Sequence, residues 1–541
     1  MSRGTRLLLS AVGGATTAAA FTAWPVQLLV PVGVALLVLA AHRAPWRVAL
    51  SSGGLFGLVF LGWTLHWLAP SIGVTAWIAL TLVQAAWLAL CGLAIALTSR
   101  LPGWPAWAAV SWTATENLRA SQPLGGMPWG RLAFTTPDTP WAALLPLLGA
   151  TGTTLVLAGL GAALAAGAFS IRRRPGWALV VAGAAGATLL VGVFTPPQSA
   201  ASTDETVRVA IVQGGVPGSG TRVVDHHREV TDDHAAETVR LTSSPTWAAD
   251  RPDFVLWPEN ATAVDPGEDE RARIALISST QAAGVPVLAG SVTDGPSSST
   301  ARNQAIVWTD SGPAARYTKQ HLVPFGEYVP FRWLASRASS RVAQIRRDML
   351  PGPRADALPV GGVRVAVALC FDIAYDDVLG PQIGDGAGLV TVLTSNAMFL
   401  GTAQLDQQWT ITRARALETG RSVLVASVNG VSGAIGPDGA VLERLPARET
   451  TSAVVTVPWT TRTTPAVRMG PWPGRAVYAA AAVALLLVVR RRRRNPGAAP
   501  GRWRADASRR QQSATAGAHT NTAHAAASCP EVSRRPRPSP P

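Results

Sequence analysis

Two acidic residues, Glu116 and Asp138, are all that occur in the first 200 positions, which are mostly Ala, Leu, Val, Gly and Trp. A segment this long and this poor in charge reads as a bundle of membrane helices. An apolar run of about 17–25 residues is enough to cross a bilayer. Such runs lie near 6–22, 25–41, 48–69, 72–98, 104–120, 142–168 and 176–195, with an eighth near 474–490. Pro25 and Pro31 interrupt the first two, and Pro105 and Glu116 weaken the fifth. Arg3 and Arg6 ahead of the first run also suit a signal peptide. Apolar segments follow at once, however, which favours a retained helix.

Basic residues orient the set. Arg3 and Arg6, then His42, Arg43 and Arg47, then Arg100, then Arg172 to Arg174 fall in alternate loops, while the loops near 23 and 70 carry none. Arg119 and Arg131 are exceptions, in a longer loop. Positive charge accumulates on the cytoplasmic side, so the N-terminus is expected there. Seven crossings then place residues 200–473 outside the cytoplasm, and the last helix returns to stop at Arg490–Arg494. The expected organisation is a seven-helix membrane domain over 1–200, a catalytic domain over 201–472, a final span over 473–490 and a basic, disordered cytoplasmic tail over 491–541.

The net charge of +15 divides as +8, −3 and +10 over 1–200, 201–475 and 490–541. The excess flanks apolar segments and spares the folded middle, which argues against nucleic-acid binding. Three cysteines in separate regions, Cys91, Cys370 and Cys529, make no disulfide framework and leave Cys370 as a free thiol.

Residues 205–460 alternate short apolar strands with helical patterns, the mark of an α/β layered domain. Strands are expected at Val207–Val212, Asp253–Trp257, Val285–Ser291, Gln304–Thr309, Ala314–Thr318, Val363–Leu369, Gly388–Leu393, Ser422–Val428 and Val431–Gly436. Helices are expected at Asp225–Leu241, Glu268–Ala283 and Gln404–Thr419. Reactive groups in such folds gather at strand ends, and three candidates do so. Glu259 follows the second strand, Cys370 follows Leu369, and Lys319 follows Thr318. Lys319 is the one lysine among 47 basic residues. Arginine matches its charge but not its compact ammonium. A thiol needs a base, which a carboxylate supplies, and an ammonium can hold an oxyanion. The backbone N–H of Phe371 offers a second donor there.

Trp257-Pro-Glu-Asn260, Lys319 in Lys-Gln-His-Leu-Val-Pro-Phe-Gly-Glu-Tyr-Val-Pro330, and Leu369-Cys-Phe-Asp372 resemble the Glu–Lys–Cys sites of the nitrilase superfamily. The lysine segment and the eight-span frame are similar to one branch, the apolipoprotein N-acyltransferases, over about residues 1–490. The resemblance implies about eight membrane helices and an extracytoplasmic nitrilase-like αββα sandwich. It implies Cys370 as nucleophile, Glu259 as general base and Lys319 as oxyanion stabiliser. Glu327 matches a second glutamate near the thiol, Asn303 an asparagine near the site, and Asn396 the loop that borders the acyl pocket. Relatives commonly carry Cys-Tyr-Glu where this chain has Cys370-Phe371-Asp372. They often carry Ser-Asn-Asp-x-Trp-Phe-Gly where this chain has Ser395-Asn-Ala-Met-Phe-Leu-Gly401.

The implied reaction moves an acyl chain from a phospholipid, through a cysteine thioester, to the N-terminal amine of S-diacylglyceryl-cysteine lipoproteins at a bacterial cell membrane. No metal or organic cofactor is implied, and a monomer is the default. A membrane-tethered amidase-like hydrolase would use the same three residues. A non-catalytic lipoprotein scaffold would use none. His226, His227 and His234 have metal-like spacing but read as a solvated helix face. His321 reads as structural. Trp63, Trp67, Trp104 and Trp107 read as interfacial belts. The Phe325–Phe331 and Met398–Leu400 groups are either core or lipid-facing loops.

Overall fold

The structure is a computed structural model that describes residues 1–22, 26–170, 205–218, 223–249, 251–333 and 345–494. The expected span at 176–195 and the tail beyond 494 lie outside these residues. Six helices of more than ten residues run through the described N-terminal part: α1 (Arg3–Ala19), α2 (Val30–Ala41), α3 (Trp46–Thr64), α4 (Val74–Thr98), α5 (Trp104–Ser121) and α6 (Leu144–Ser170). Four described stretches are long and apolar enough to cross a membrane: Trp46–Thr64, Val74–Thr98, Pro140–Phe169 and Trp472–Arg494. Helix α5 lies outside that set and carries two charged residues, Glu116 and Arg119. Both are buried and satisfied. Arg119 donates to the carbonyls of Trp129 (2.6 Å), Gly130 (3.0 Å) and Met127 (3.1 Å), and Glu116 accepts from Thr154 Oγ1 at 2.7 Å.

Small residues let α3 and α4 touch. A Cβ added at Gly53 would lie 2.1 Å from the Leu88 carbonyl oxygen, and one at Gly92 would lie 2.5 Å from that of Ala49. Backbones can approach so closely only where side chains are missing.

The second part contains thirteen strands in two mixed sheets. The first sheet has the order β13-β1-β2-β3-β4-β5: Thr451–Pro458, Thr206–Gln213, Phe254–Leu256, Val287–Asp294, Thr300–Thr309 and Gly312–Thr318, with β6 (Asp348–Met349) against β4. The second has the order β12-β11-β10-β9-β8-β7: Val441–Arg444, Gly433–Ile435, Val423–Ser427, Leu389–Thr394, Val363–Leu369 and Leu358–Val360. Alternation along the strands assigns the faces. Val207, Val209 and Ile211 meet Val365, Val367 and Leu369 between the sheets. Ala210 and Val212 turn outward to α7 (His227–Thr242) and α8 (Glu270–Ala283). On the far side, Ala366, Ala368 and Val390 pack on α9 (Leu379–Gly384) and α10 (Gln404–Thr419), and the same core continues into the N-terminal helices. The layers are therefore αββα. A last helix, α11 (Trp472–Arg494), closes the described chain.

Three expectations are corrected. The strand Thr451–Pro458 was not anticipated; it pairs antiparallel with β1 along all eight residues. His234 is not on a solvated face. It is fully buried, with Nδ1 hydrogen-bonded to the Val230 carbonyl at 2.6 Å. Trp67 is not interfacial but buried, its indole N–H donating to Gln407 Oε1 at 3.1 Å.

Overpacking a tight contact costs about 1–3 kcal/mol. Gly53→Val should therefore lower the thermal midpoint of the detergent-purified protein by several degrees. An unchanged midpoint would contradict the α3–α4 contact.

Candidate active site

Glu259 lies on the turn just past β2. Gly290 on neighbouring β3 permits that turn, since a Cβ there would sit 2.4 Å from Pro258 O and 2.5 Å from Glu259 Cα. Lys319 extends the β4–β5 ladder by one residue, its N–H donating to Asn303 O at 2.9 Å. Opposed residues of an antiparallel pair project to one face, so the Asn303 amide and the Lys319 ammonium emerge together.

Both reach the same two oxygens. Lys319 Nζ donates to Glu259 Oε1 at 3.1 Å and to Glu327 Oε1 at 2.9 Å. Asn303 Nδ2 donates to the same atoms at 2.7 and 3.0 Å. The remaining oxygen of each carboxylate takes a backbone N–H. Ser395 donates to Glu259 Oε2 at 2.9 Å and Val323 to Glu327 Oε2 at 2.8 Å. Ser395 follows β9, so Glu259 is fastened to both sheets. Lys319 and Glu259 are 2% and 4% exposed.

Cys370 ends β8 and begins a 3-10 turn, Cys370–Ala374, with its backbone at φ +49°. Few non-glycine residues adopt that conformation. The turn is locked by Asp372, which is fully buried. Its carboxylate accepts from Tyr317 OH at 2.7 Å, from His321 N at 2.9 Å and from Leu369 N at 3.3 Å. Tyr317 and His321 flank Lys319, so one aspartate ties the lysine segment to the thiol turn. His321 stacks on Tyr375 at 3.6 Å and shares a hydrogen bond with Asp377 at 2.8 Å, which is a structural role.

Phe371 stacks its ring against Trp129 at 6.0 Å. Its N–H lies in the first turn of a 3-10 helix, where intrahelical partners are missing. Asn396 is left-handed at φ +55° and buried, and it accepts from Thr394 Oγ1 at 2.9 Å. It therefore supports the ground behind the thiol. The three helix histidines do not converge: His226 pairs with Glu229 at 2.5 Å while His234 is buried elsewhere.

Residues that sequence reasoning missed come from α10. Gln408 Nε2 donates to Cys370 O and to Thr394 Oγ1, each at 3.4 Å. Their signal was present: Gln404, Gln407, Gln408 and Arg415 place polar groups on the buried face of an amphipathic helix.

Crowding around the sulfur removes water, and with Glu259 nearby it pushes the Cys370 thiol up to about 12, against the opposing pull of Lys319. Burial disfavours the charge on Lys319, but Glu259 and then Glu327 override it and hold the ammonium well above its ordinary value. Burial likewise raises Asp372, opposed by Lys319 and its hydrogen bonds. The Cys370 and Lys319 shifts both favour a protonated thiol beside a charged ammonium. A nucleophile then forms only when a base removes the proton as the sulfur attacks.

Two family models match. Residues 13–163 fit the apolipoprotein N-acyltransferase N-terminal domain, and residues 208–465 fit carbon-nitrogen hydrolase. An apolipoprotein N-acyltransferase of Mycolicibacterium smegmatis is 33% identical over 447 residues, covering 78% of this chain and 74% of that protein. One from Bordetella bronchiseptica is 31% identical over 539 residues, covering 86% and 94%. Among solved structures, an amidase from Nesterenkonia sp. superposes with a TM-score of 0.35 at 20% identity, over 47% of this chain and 90% of that one.

A thiol whose pKa is about 12 is ionised to about one part in ten thousand at pH 8, against about a quarter for a free cysteine. Iodoacetamide labelling of Cys370 without substrate, read by intact mass, should be slow at pH 7 and rise steadily through pH 10. A rate already level at pH 7 would contradict the protonated resting state.

Proposed function

The chain belongs to the apolipoprotein N-acyltransferase family, and we propose that it acylates lipoproteins through a thioester on Cys370. Its substrates are a phospholipid and a lipoprotein. The observation that carries the site assignment is the Glu259–Lys319–Glu327 cluster, with Glu259 and Lys319 buried, beside a thiol on a strained strand-end turn.

Glu259 takes the thiol proton as the sulfur attacks the phospholipid ester carbonyl. The tetrahedral oxyanion is met by the Lys319 ammonium and the Phe371 N–H. Collapse breaks the acyl C–O bond, and the departing lysophospholipid oxygen receives the proton from Glu259. In the second half, the diacylglyceryl-cysteine amine attacks the thioester, Glu259 takes the amine proton, and the thiolate leaves and is reprotonated. Glu327 and Asn303 hold Lys319 and Glu259 in place throughout, and Asp372 and Asn396 hold the turn and its floor.

Topology belongs to the same proposal. With 176–195 counted as a span, seven crossings of a bacterial cell membrane put the catalytic domain outside the cytoplasm and an eighth returns the chain, so that both termini are cytoplasmic, consistent with basic residues in alternate loops and at Arg490–Arg494. The domain boundaries near 200, 472 and 490 and a monomeric state are part of this reading. Phe325 (55% exposed), Phe331 (66%), Trp333 (67%) and Met398 (54%) are the loop side chains that would face lipid.

The test is incubation of the purified protein with phospholipid and a diacylglyceryl-cysteine peptide, read by mass spectrometry. Wild type should gain a hydroxylamine-labile acyl adduct and yield N-acylated peptide. Cys370→Ala should give neither, and Glu259→Gln should slow adduct formation by about 100-fold or more. Release of free fatty acid in place of acylated peptide would replace transfer by hydrolysis. Absence of any adduct on wild type would overturn the thioester.

A further inference from the structure

The thiol turn is gripped from its far end. Arg415 of α10 donates Nε to the Ile373 carbonyl at 2.9 Å and Nη2 to the Ala374 carbonyl at 2.8 Å. These are the last carbonyls of the turn that Cys370 begins. The same Nη2 donates to Asp376 Oδ1 at 2.8 Å. Asp376 Oδ1 also accepts from Arg131 Nη1 at 2.6 Å. Arg131 does not come from the catalytic domain. It lies in the loop between α5 and α6, buried, with Nη2 donating to Thr151 Oγ1 at 3.2 Å and Nε facing Glu116 Oε1 at 3.7 Å. Both guanidinium groups lie over Phe134, whose ring centroid is 5.5 Å from that of Arg131 and 5.2 Å from that of Arg415.

We propose that Arg131, supplied by the N-terminal helical part, is a positioning residue for Cys370, acting through Asp376 and Arg415 on the turn that carries the thiol. This rests on Cys370 being the nucleophile. A turn that begins at φ +49° holds that shape only if its surroundings over-determine it. Asp372 fixes the front of the turn and the Arg131–Asp376–Arg415 clamp fixes the back. Both guanidinium groups are buried and keep their geometry because their planar donors are pre-organised; the Asp376 carboxylate that joins them is half exposed, and Glu116 and Glu418 remain as the outer partners of Arg131 and Arg415. The thiol's geometry therefore depends on the catalytic domain being seated on the helices that bring the substrates.

The test compares full-length Arg131→Met, Arg131→Lys, Asp376→Asn and the Arg131→Met/Asp376→Asn double variant with wild type. Each is read for thermal midpoint, for thioester formation at varied phospholipid, and for the pH profile of Cys370 alkylation. The expected result is at least a tenfold fall in the maximal rate of thioester formation in Arg131→Met and Asp376→Asn. Half-saturation should stay within about threefold, and the alkylation profile should change. The double variant should be no slower than the slower single variant, and Arg131→Lys should recover part of the rate. Rates within twofold of wild type, or losses that multiply in the double variant, would overturn the proposal. So would rate losses with an unchanged alkylation profile. Should wild type form no thioester, that failure belongs to the nucleophile assignment, and the alkylation profiles alone decide on the clamp.

Discussion

One ammonium shared by two carboxylates organises the site. Lys319 is buried, and its charge is supported by Glu259 and Glu327 at hydrogen-bond distance. A buried charge is costly unless paired and fully hydrogen-bonded. Asn303 and the backbone N–H groups of Ser395 and Val323 complete the arrangement. Because the carboxylates come from different loops and the N–H of Ser395 from the other sheet, the cluster also locks the two sheets together where the thiol emerges. An arginine fork would span the same charges with a different shape, which explains why a chain this rich in arginine keeps one lysine.

Helix α10 links this chemistry to the N-terminal helices. Gln407 spends its whole amide on them: Oε1 accepts from Trp129 Nε1 at 2.7 Å and Trp67 Nε1 at 3.1 Å, while Nε2 donates to Thr64 O at 3.1 Å and Phe21 O at 3.3 Å. The next residue, Gln408, turns to Cys370 and Thr394. Near the end of the helix, Glu418 accepts from the Ala150 N–H at 2.8 Å where α6 breaks at Gly149, φ +67°. A helix that looks amphipathic in sequence thus has two polar-lined buried sides.

Much of this was legible before any coordinates. The strands Val363–Leu369 and helix Gln404–Thr419 fall where alternation and helical period place them, and the strand-end rule picks out Glu259, Lys319 and Cys370, which the fold gathers. Other features depend on register or tertiary contact. The Asn303–Lys319 pairing needs the β4–β5 ladder, and the Arg131–Asp376 contact joins residues 245 positions apart. Asp372 reaches Tyr317 and His321 because the turn brings their segment close. His234 and Trp67 were misread because composition cannot tell a wet helix face or a membrane border from a buried one.

The central claim is that a compact, two-carboxylate-bound ammonium stabilises the oxyanion of acyl transfer to sulfur. The most direct measurement is single-turnover formation of the Cys370 acyl adduct by folded Lys319→Arg, followed by intact mass beside wild type. The account predicts a loss of about 100-fold or more, the scale of removing an oxyanion donor, with charge retained. Acylation of Lys319→Arg at the wild-type rate would contradict it.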